Sequence, residues 1–396
     1  MIKRQIIPQI NRLKKGFPVI AVTGPRQSGK TTLIKNIFPK YTYFNLENPE
    51  TLGIIENDPA GFINANNQKI IIDEIQRVPQ LLSYIQSTVD EQKIMGNFII
   101  SGSENLLLSQ KINQSLAGRA AYVNLLPLSN QELSQSKLLA KNLHQQIFTG
   151  FYPAIYDRKI DPIDYYNQYI ATYVERDLKQ ISQISNLSSF RNFLGLLAGR
   201  IGQLVNLSSL ANDTGVAVNT IENWISILEA SYLVFRLQPY HKNFGKRHIK
   251  SPKIYFNDVG LACRLLALTK PLDLKNHFLI GGLFENLIIT EVKKHILNHS
   301  KSSSLYFFRD SNNNEIDLII DSGTMQIPVE IKSSGTFSSQ FTSNLKLWQK
   351  LSKESSISDR DKQNSFIVYT GNQSLTANNS QLLNWSNLTP LLQLIT

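Results

Sequence analysis

Eight consecutive residues constrain this chain more than any others. They are Gly24, Pro25, Arg26, Gln27, Ser28, Gly29, Lys30 and Thr31, spaced as G-x-x-x-x-G-K-[ST]. Residues 17–23 (FPVIAVT) form a short apolar run with β-branched side chains, bounded by Gly16 and Gly24, and read as a buried strand. Strand, glycine-bounded loop and helix start, in that order, make a cradle for phosphate. Glycines let the backbone turn so that several N–H groups face one anion, and the helix beginning near Lys30 adds the positive end of its dipole. On this reading residues 24–32, Thr32 included, wrap a nucleotide. Lys30 reaches the β- and γ-phosphates, and Thr31 holds Mg²⁺ through its hydroxyl.

A cradle of this kind needs an acid at the end of a neighbouring apolar strand. The stretch Lys69-Ile-Ile-Ile-Asp73-Glu74 supplies it. Asp73 is expected to hold the metal through its water shell, and Glu74 to orient the attacking water. Residues 41–46 and 97–101 read as two more strands of a parallel sheet. The second runs into Ser101-Gly-Ser103, where a hydroxyl would either sense the γ-phosphate or cap a helix. Arg119, before a strand at 121–126, has two readings: a cation for the transferred phosphate, in cis or across a subunit boundary, or a solvated side chain.

Composition sets the outer bounds. At 396 residues the chain has room for two or three cores. One cysteine, Cys263, excludes an internal disulfide framework and any cysteine-built zinc site, so a cytoplasmic location is expected. No apolar run approaches the roughly 18 to 20 residues of a spanning helix, so no membrane role is expected. Net charge is +11 and unevenly spread. Residues 1–150 carry 16 basic and 10 acidic side chains, residues 151–280 carry 15 and 10, and residues 281–396 carry 10 and 10. A basic excess confined to the first two thirds suits a polyanionic partner, most often nucleic acid, or serves solubility alone.

The segments GPRQSGKTTL, IIIDEIQRVPQL, SGS and SLAGR together resemble a branch of the AAA+ ATPases. Members of that branch join the ATPase to a C-terminal domain of unknown function. GFYPAIY (150–156), YVERD (173–177), KIYFNDVGLA (253–262), GGLFENLI (281–288) and the closing EIDL…VEIK resemble that partner domain. The resemblance covers nearly the whole chain. It implies an α/β P-loop NTPase with a parallel sheet that uses ATP and Mg²⁺, a helical, winged-helix-like middle, and a C-terminal α/β domain like the PD-(D/E)XK nucleases. The expected boundaries are 1–150, 151–265 and 266–396.

In the middle, after a helix expected over 165–180, Asn206 or Ser208 caps a short helix and Gly215 marks a turn. The next helix, 219–231, sets Ile221, Trp224, Ile225 and Leu228 on one stripe. Two short helices about a glycine turn are a helix-turn-helix signature, and 234–240 with 254–256 would make a wing. The second helix shows solvent Asn219, Thr220, Glu222, Asn223 and Ser226, with no Lys or Arg, which argues against base reading. Positive charge falls instead in 241–253, on Lys242, Lys246, Arg247, Lys250 and Lys253. A DNA backbone, a solvated tip and an inter-domain surface all fit that layout.

Near the end, Glu330 and Lys332 leave the same face of an apolar strand, and Asp317 lies on the strand before it. A turn at Ser322-Gly323 would bring Asp317 beside Glu330. Glu285 continues the apolar stripe of Ile289, Val292 and Ile296 on the preceding helix. Glu, Asp, Glu-x-Lys on helix, strand, strand resembles the nuclease core just named. If the site is active, Asp317 and Glu330 bind Mg²⁺, Glu285 shares it, and Lys332 orients the water. The competing readings are a structural metal and a buried ion pair with Lys332. Two functions follow: an ATP hydrolase acting on DNA through the basic segment Lys242 to Lys253, or an ATP-driven switch for a protein partner. A homo-oligomer is compatible with both.

Overall fold

The computed structural model describes residues 2–103, 116–177, 186–240, 251–323, 325–354, 365–373, 376–377 and 380–395. The first sheet contains β1 (Val19–Thr23), β2 (Thr42–Asn45), β3 (Ile70–Asp73), β4 (Phe98–Gly102) and β5 (Ala120–Asn124). All pair in parallel, in the order β2-β3-β4-β1-β5. Every residue of β1, β3 and β4 is buried, because crossover segments cover both faces of a parallel sheet. That is why these strands read as continuous apolar runs rather than alternating ones. One apolar cluster fills each face. The helix α1 (Lys30–Ile37) follows β1 directly. Since neighbouring strands run the same way, the carboxyl ends of β1, β3 and β4 meet at one edge, the position where α/β sheets bind ligands.

The helix expected over 165–180 is α2 (Pro162–Tyr169), started by Asp161, and it continues in π-type turns over Ile170–Asp177. Residues 178–180 lie outside the described residues. Asn206 caps α3 (Leu207–Thr214) by accepting from Ser209 N, and Gly215 turns the chain at φ 69°, where a side chain would be strained. The following α4 (Val218–Ala230) buries the expected stripe of Ile221, Trp224, Ile225 and Leu228, with Trp224 packed on Phe190 and Phe193.

The hairpin β6 (Val234–Pro239) and β7 (Lys253–Phe256) then forms, antiparallel as expected. It does not stand apart. After α5 (Ile280–His299) come β8 (Ser304–Arg309), β9 (Glu315–Asp321), β10 (Gln326–Lys332), the helix α6 (Ser343–Glu354), β11 (Ser365–Tyr369), β12 (Thr376–Ala377) and β13 (Ser380–Asn384). These strands join the hairpin in one sheet, ordered β12-β13-β11-β10-β9-β8-β6-β7. The link is parallel pairing of Gln238 and Pro239 with Tyr306 and Phe307. A single apolar cluster runs from Leu128 to Ile395 beneath it. The boundary expected at 265/266 therefore crosses a shared sheet and a shared core.

Candidate nucleotide site and carboxylate cluster

The loop after β1 is fixed by close approach. Gly24 has φ 148°, and a Cβ there would sit 2.2 Å from Leu125 O. Pro25 and Ser28 are buried behind it, and the Ser28 hydroxyl has no hydrogen-bond partner among the described residues. Arg4, which the sequence reading passed over, pins the loop from outside. Its guanidinium donates to Ser28 O at 2.9 Å and Leu126 O at 2.6 Å, and pairs with the fully buried Glu132 at 3.0 Å. Lys30 Nζ donates to Gly24 O and Pro25 O, both at 2.9 Å. Burial pulls its pKa down to about 8, opposed by Glu74 and Asp73. An arriving phosphate would restore what burial costs this ammonium. The N–H groups of the first turn of α1 have no partner within the helix. With the orphaned Ser28 hydroxyl, they fit a bound phosphate.

Across the edge, Asp73 collects three hydroxyl donors. Thr31 Oγ1 lies 2.6 Å and Tyr43 Oη 2.9 Å from its Oδ2, while Ser101 donates to Oδ1. Thr31 and Asp73 are thus brought into a direct hydrogen bond, and these oxygens would be the ones to hold a Mg²⁺ ion accompanying a triphosphate. Glu74 sits in a left-handed conformation, φ 59°, which turns its carboxylate away from the strand. Its Oε2 accepts from Gln76 Nε2 at 2.5 Å and Ser103 Oγ at 3.2 Å. Ser103 is therefore within reach of the acid expected to orient water. A cavity of about 380 Å³ opens over these groups, lined by Arg26, Gln27, Lys30, Thr32 and Glu74 and walled by Pro153 of the GFYPAIY segment.

Arg119 lies elsewhere. Its carbonyl accepts from Val19 N, so it sits at the amino end of β1, with the strand's five residues, roughly 15 Å, between it and the phosphate loop. Its guanidinium is tied to Asp90 at 2.5 and 2.9 Å. A cis role on this chain's own phosphate is thereby corrected. The error arose because a motif places a residue along the chain but not at a given end of a sheet.

Tyr232 was not foreseen either. It follows α4 at φ 57°, buried, and its hydroxyl lies 2.8 Å from Thr23 Oγ1 and 3.0 Å from Asn124 Oδ1. Thr23 itself donates to Asn124 Oδ1 at 2.6 Å. The helical pair thus touches the residue immediately before the phosphate loop.

Residues 16–134 match the model of an AAA domain. Residues 140–272 match a domain of unknown function (DUF8612), and residues 280–388 match a second one (DUF4143). The uncharacterized protein Rv2008c of Mycobacterium tuberculosis is 31% identical over 338 residues, covering 84% of this chain and 74% of that protein. The chain belongs to the family of that mycobacterial protein. The uncharacterized protein MJ1544 of Methanocaldococcus jannaschii is 23% identical over 332 residues, covering 76% of this chain and 71% of its own. Among solved structures, the Walker-type ATPase PABY2304 of Pyrococcus abyssi is similar at a TM-score of 0.46 and 13% identity, over 67% of this chain and 96% of that one. The AAA match makes residues 16–134 of this chain an AAA-type ATPase domain, to which ATP binding and hydrolysis belong. Among the described residues no helix is long and apolar enough to cross a membrane.

In the third region the strand register brings Asp317, Glu330 and Lys332 together. The antiparallel β9–β10 pairing of Leu318 with Val329 sets Asp317 next to Glu330. Asp317 Oδ2 accepts from Ile331 N at 2.7 Å and Lys332 Nζ at 3.3 Å. Glu330 Oε1 lies 2.7 Å from the same ammonium. Burial pushes the Glu330 carboxyl up to about 8, with Asp317 adding to the rise and Lys332 opposing it. Burial likewise pushes Glu285 up to about 7, against the pull of Lys253.

The expected metal trio is nevertheless not assembled. Among the described residues, no three of His, Cys, Asp and Glu are grouped so as to hold a metal ion. Glu285 is turned toward Lys253 Nζ at 2.9 Å and Tyr255 Oη at 2.5 Å. Lys253 itself requires correction. Of the readings of the basic segment, neither a DNA contact nor a solvated tip holds for this residue and the inter-domain surface does, because Lys253 is 2% exposed on β7 and paired with Glu285 and Glu315. Lys242, Lys246, Arg247 and Lys250 lie outside the described residues.

Proposed function

We propose that the chain is an ATP-driven device in which the nucleotide state of the first domain is relayed to the helix pair α3–α4 and its hairpin, and through them to nucleic acid, DNA in the first place. One observation carries the relay: the Tyr232 hydroxyl on Thr23 Oγ1, one residue before the phosphate loop. In this reading residues 24–32 hold ATP, Thr31 and Asp73 hold its Mg²⁺, and Glu74, steadied by Gln76 and Ser103, orients water. The basic excess of residues 1–280 supplies attraction for phosphates with little base reading. The cell compartment is the cytoplasm. No cleavage step is assigned to the C-terminal cluster, whose acids are engaged by lysines.

A second reading is favoured by a specific feature. The outward face of α4 has no Lys or Arg, and its Glu222 is paired with Arg236 of β6 at 2.8 Å. That face suits a protein partner, with the C-terminal sheet as the docking body. ATP turnover measured with and without DNA separates the two. Stimulation by DNA, with retention falling steeply as salt rises, supports the first. Turnover indifferent to DNA at low salt leaves the second.

A further inference from the structure

We propose that Lys253 is the resident cation of the C-terminal carboxylate cluster, and that the cluster takes no Mg²⁺ while Lys253 is in place. The Lys253 ammonium enters from β7, between two acids from separate elements. It lies 2.9 Å from Glu285 Oε1 on α5 and 2.6 Å from Glu315 Oε1 on β9. Tyr255, two residues on and on the same face of β7, donates to the same Glu285 oxygen. The outer oxygen of Glu315 is closed by Arg309 at 3.1 Å. Lys332 engages Asp317 and Glu330 in the same manner.

Charge counting explains why a metal is unwelcome. Four carboxylates, Glu285, Glu315, Asp317 and Glu330, face three cations, Lys253, Lys332 and Arg309. With all four ionised, the described cluster carries one net negative charge, and the upward push of burial on Glu330 and Glu285 lessens it further. A divalent ion would overshoot by at least one positive charge in a largely buried setting, where uncompensated charge is expensive. To admit it, one ammonium must leave. Lys253 cannot swing out, because its side chain is 2% exposed and its backbone is registered against Leu237 on β6. Glu330 Oε2 is buried without a partner among the described residues, and Glu285 and Asp317 meet their cations through one oxygen each, Oε1 and Oδ2. These acids are nevertheless not grouped, among the described residues, so as to hold a metal ion, and Mg²⁺ takes about six ligands.

The inference stands apart from the ATP site, and its test removes that site. Mn²⁺ binding is titrated by calorimetry on nucleotide-free full-length protein carrying Asp73→Asn. No binding at submillimolar metal is expected. Adding Lys253→Met should create one Mn²⁺ site, tighter by about tenfold or more, that vanishes with Asp317→Asn. The same metal should raise the melting midpoint of the Lys253→Met protein and leave its parent unmoved. Should Lys253→Met fold only with Mn²⁺ present, that result also supports the claim, since the metal then replaces the missing ammonium. Two results overturn it: Mn²⁺ binding by the Asp73→Asn parent that Asp317→Asn abolishes, or a folded Lys253→Met protein that binds no metal.

Discussion

Tyr232→Phe removes one oxygen from the contact between the helix pair and the end of β1. That hydroxyl lies 2.8 Å from Thr23 Oγ1 and 3.0 Å from Asn124 Oδ1, and with Thr23 donating to Asn124 its one proton serves one of them at a time. One such bond is worth about 0.5–1.5 kcal/mol net. Neither partner is orphaned by the change, because Thr23 still donates to Asn124 Oδ1 at 2.6 Å. The ring stays buried and packed. Stability should therefore fall by about 0.5–1.5 kcal/mol, well short of unfolding, and urea denaturation can measure it. The larger consequence is for the relay. A contact cannot transmit more free energy than it holds, so about 0.5–1.5 kcal/mol caps the nucleotide's effect on α4 at about two- to thirteenfold. Hydrogen exchange of the α4 amides, with and without ATP, reads this directly. The parent protein should show an ATP-dependent change in the last turns of α4, and Tyr232→Phe should not. If the variant keeps the full nucleotide response in α4, the relay runs elsewhere and the argument fails.

Three further outcomes are expected. Glu74→Gln should bind ATP as before and turn it over about 10²-fold more slowly or worse, by single-turnover assay; an unchanged rate removes Glu74 from the water-orienting role. Arg119→Ala should leave ATP turnover of dilute protein unchanged, because Arg119 is tied to Asp90 at the opposite end of β1; a loss that deepens with protein concentration would assign it to a neighbouring copy's site. Lys293 Nζ lies over the Phe235 ring at 3.6 Å and donates to Asn257 Oδ1 at 3.0 Å, and burial pulls its pKa from 10.5 to about 7, with Glu229 opposing. Between those two values the unfolded chain holds more protons on this lysine than the folded one, so its contribution makes stability rise with pH across that window. Melts of Lys293→Met at about pH 7 and pH 9 should show a shallower rise than the parent; an equal rise refutes the assignment.

What the sequence made legible was local or periodic. The phosphate loop, the buried strands, the two helices about Gly215 and the β9–β10 register all follow from spacing within one or two elements. The acids Glu285, Asp317 and Glu330 were found because a stripe, a turn and a two-residue alternation each act over short range. What stayed hidden were side-chain partners from distant segments. Lys253 meets Glu285 and Glu315, 32 and 62 positions away, and no local pattern distinguishes a lysine bound inward from one at a hairpin tip. Tyr232 meets Thr23 across 209 positions. Arg4 and Glu132 are similar, 128 apart. In each case the pairing decides the chemistry, and only the fold supplies it.

The parallel join of Gln238 and Pro239 to β8 has a practical sequel. Released from everything before residue 266, the remaining strands would present β8 with bare amide and carbonyl groups, an open template for a second chain. Residues 266–396 produced alone should therefore pair with themselves or precipitate, whereas a fragment beginning ahead of α3 carries its own cover for that edge.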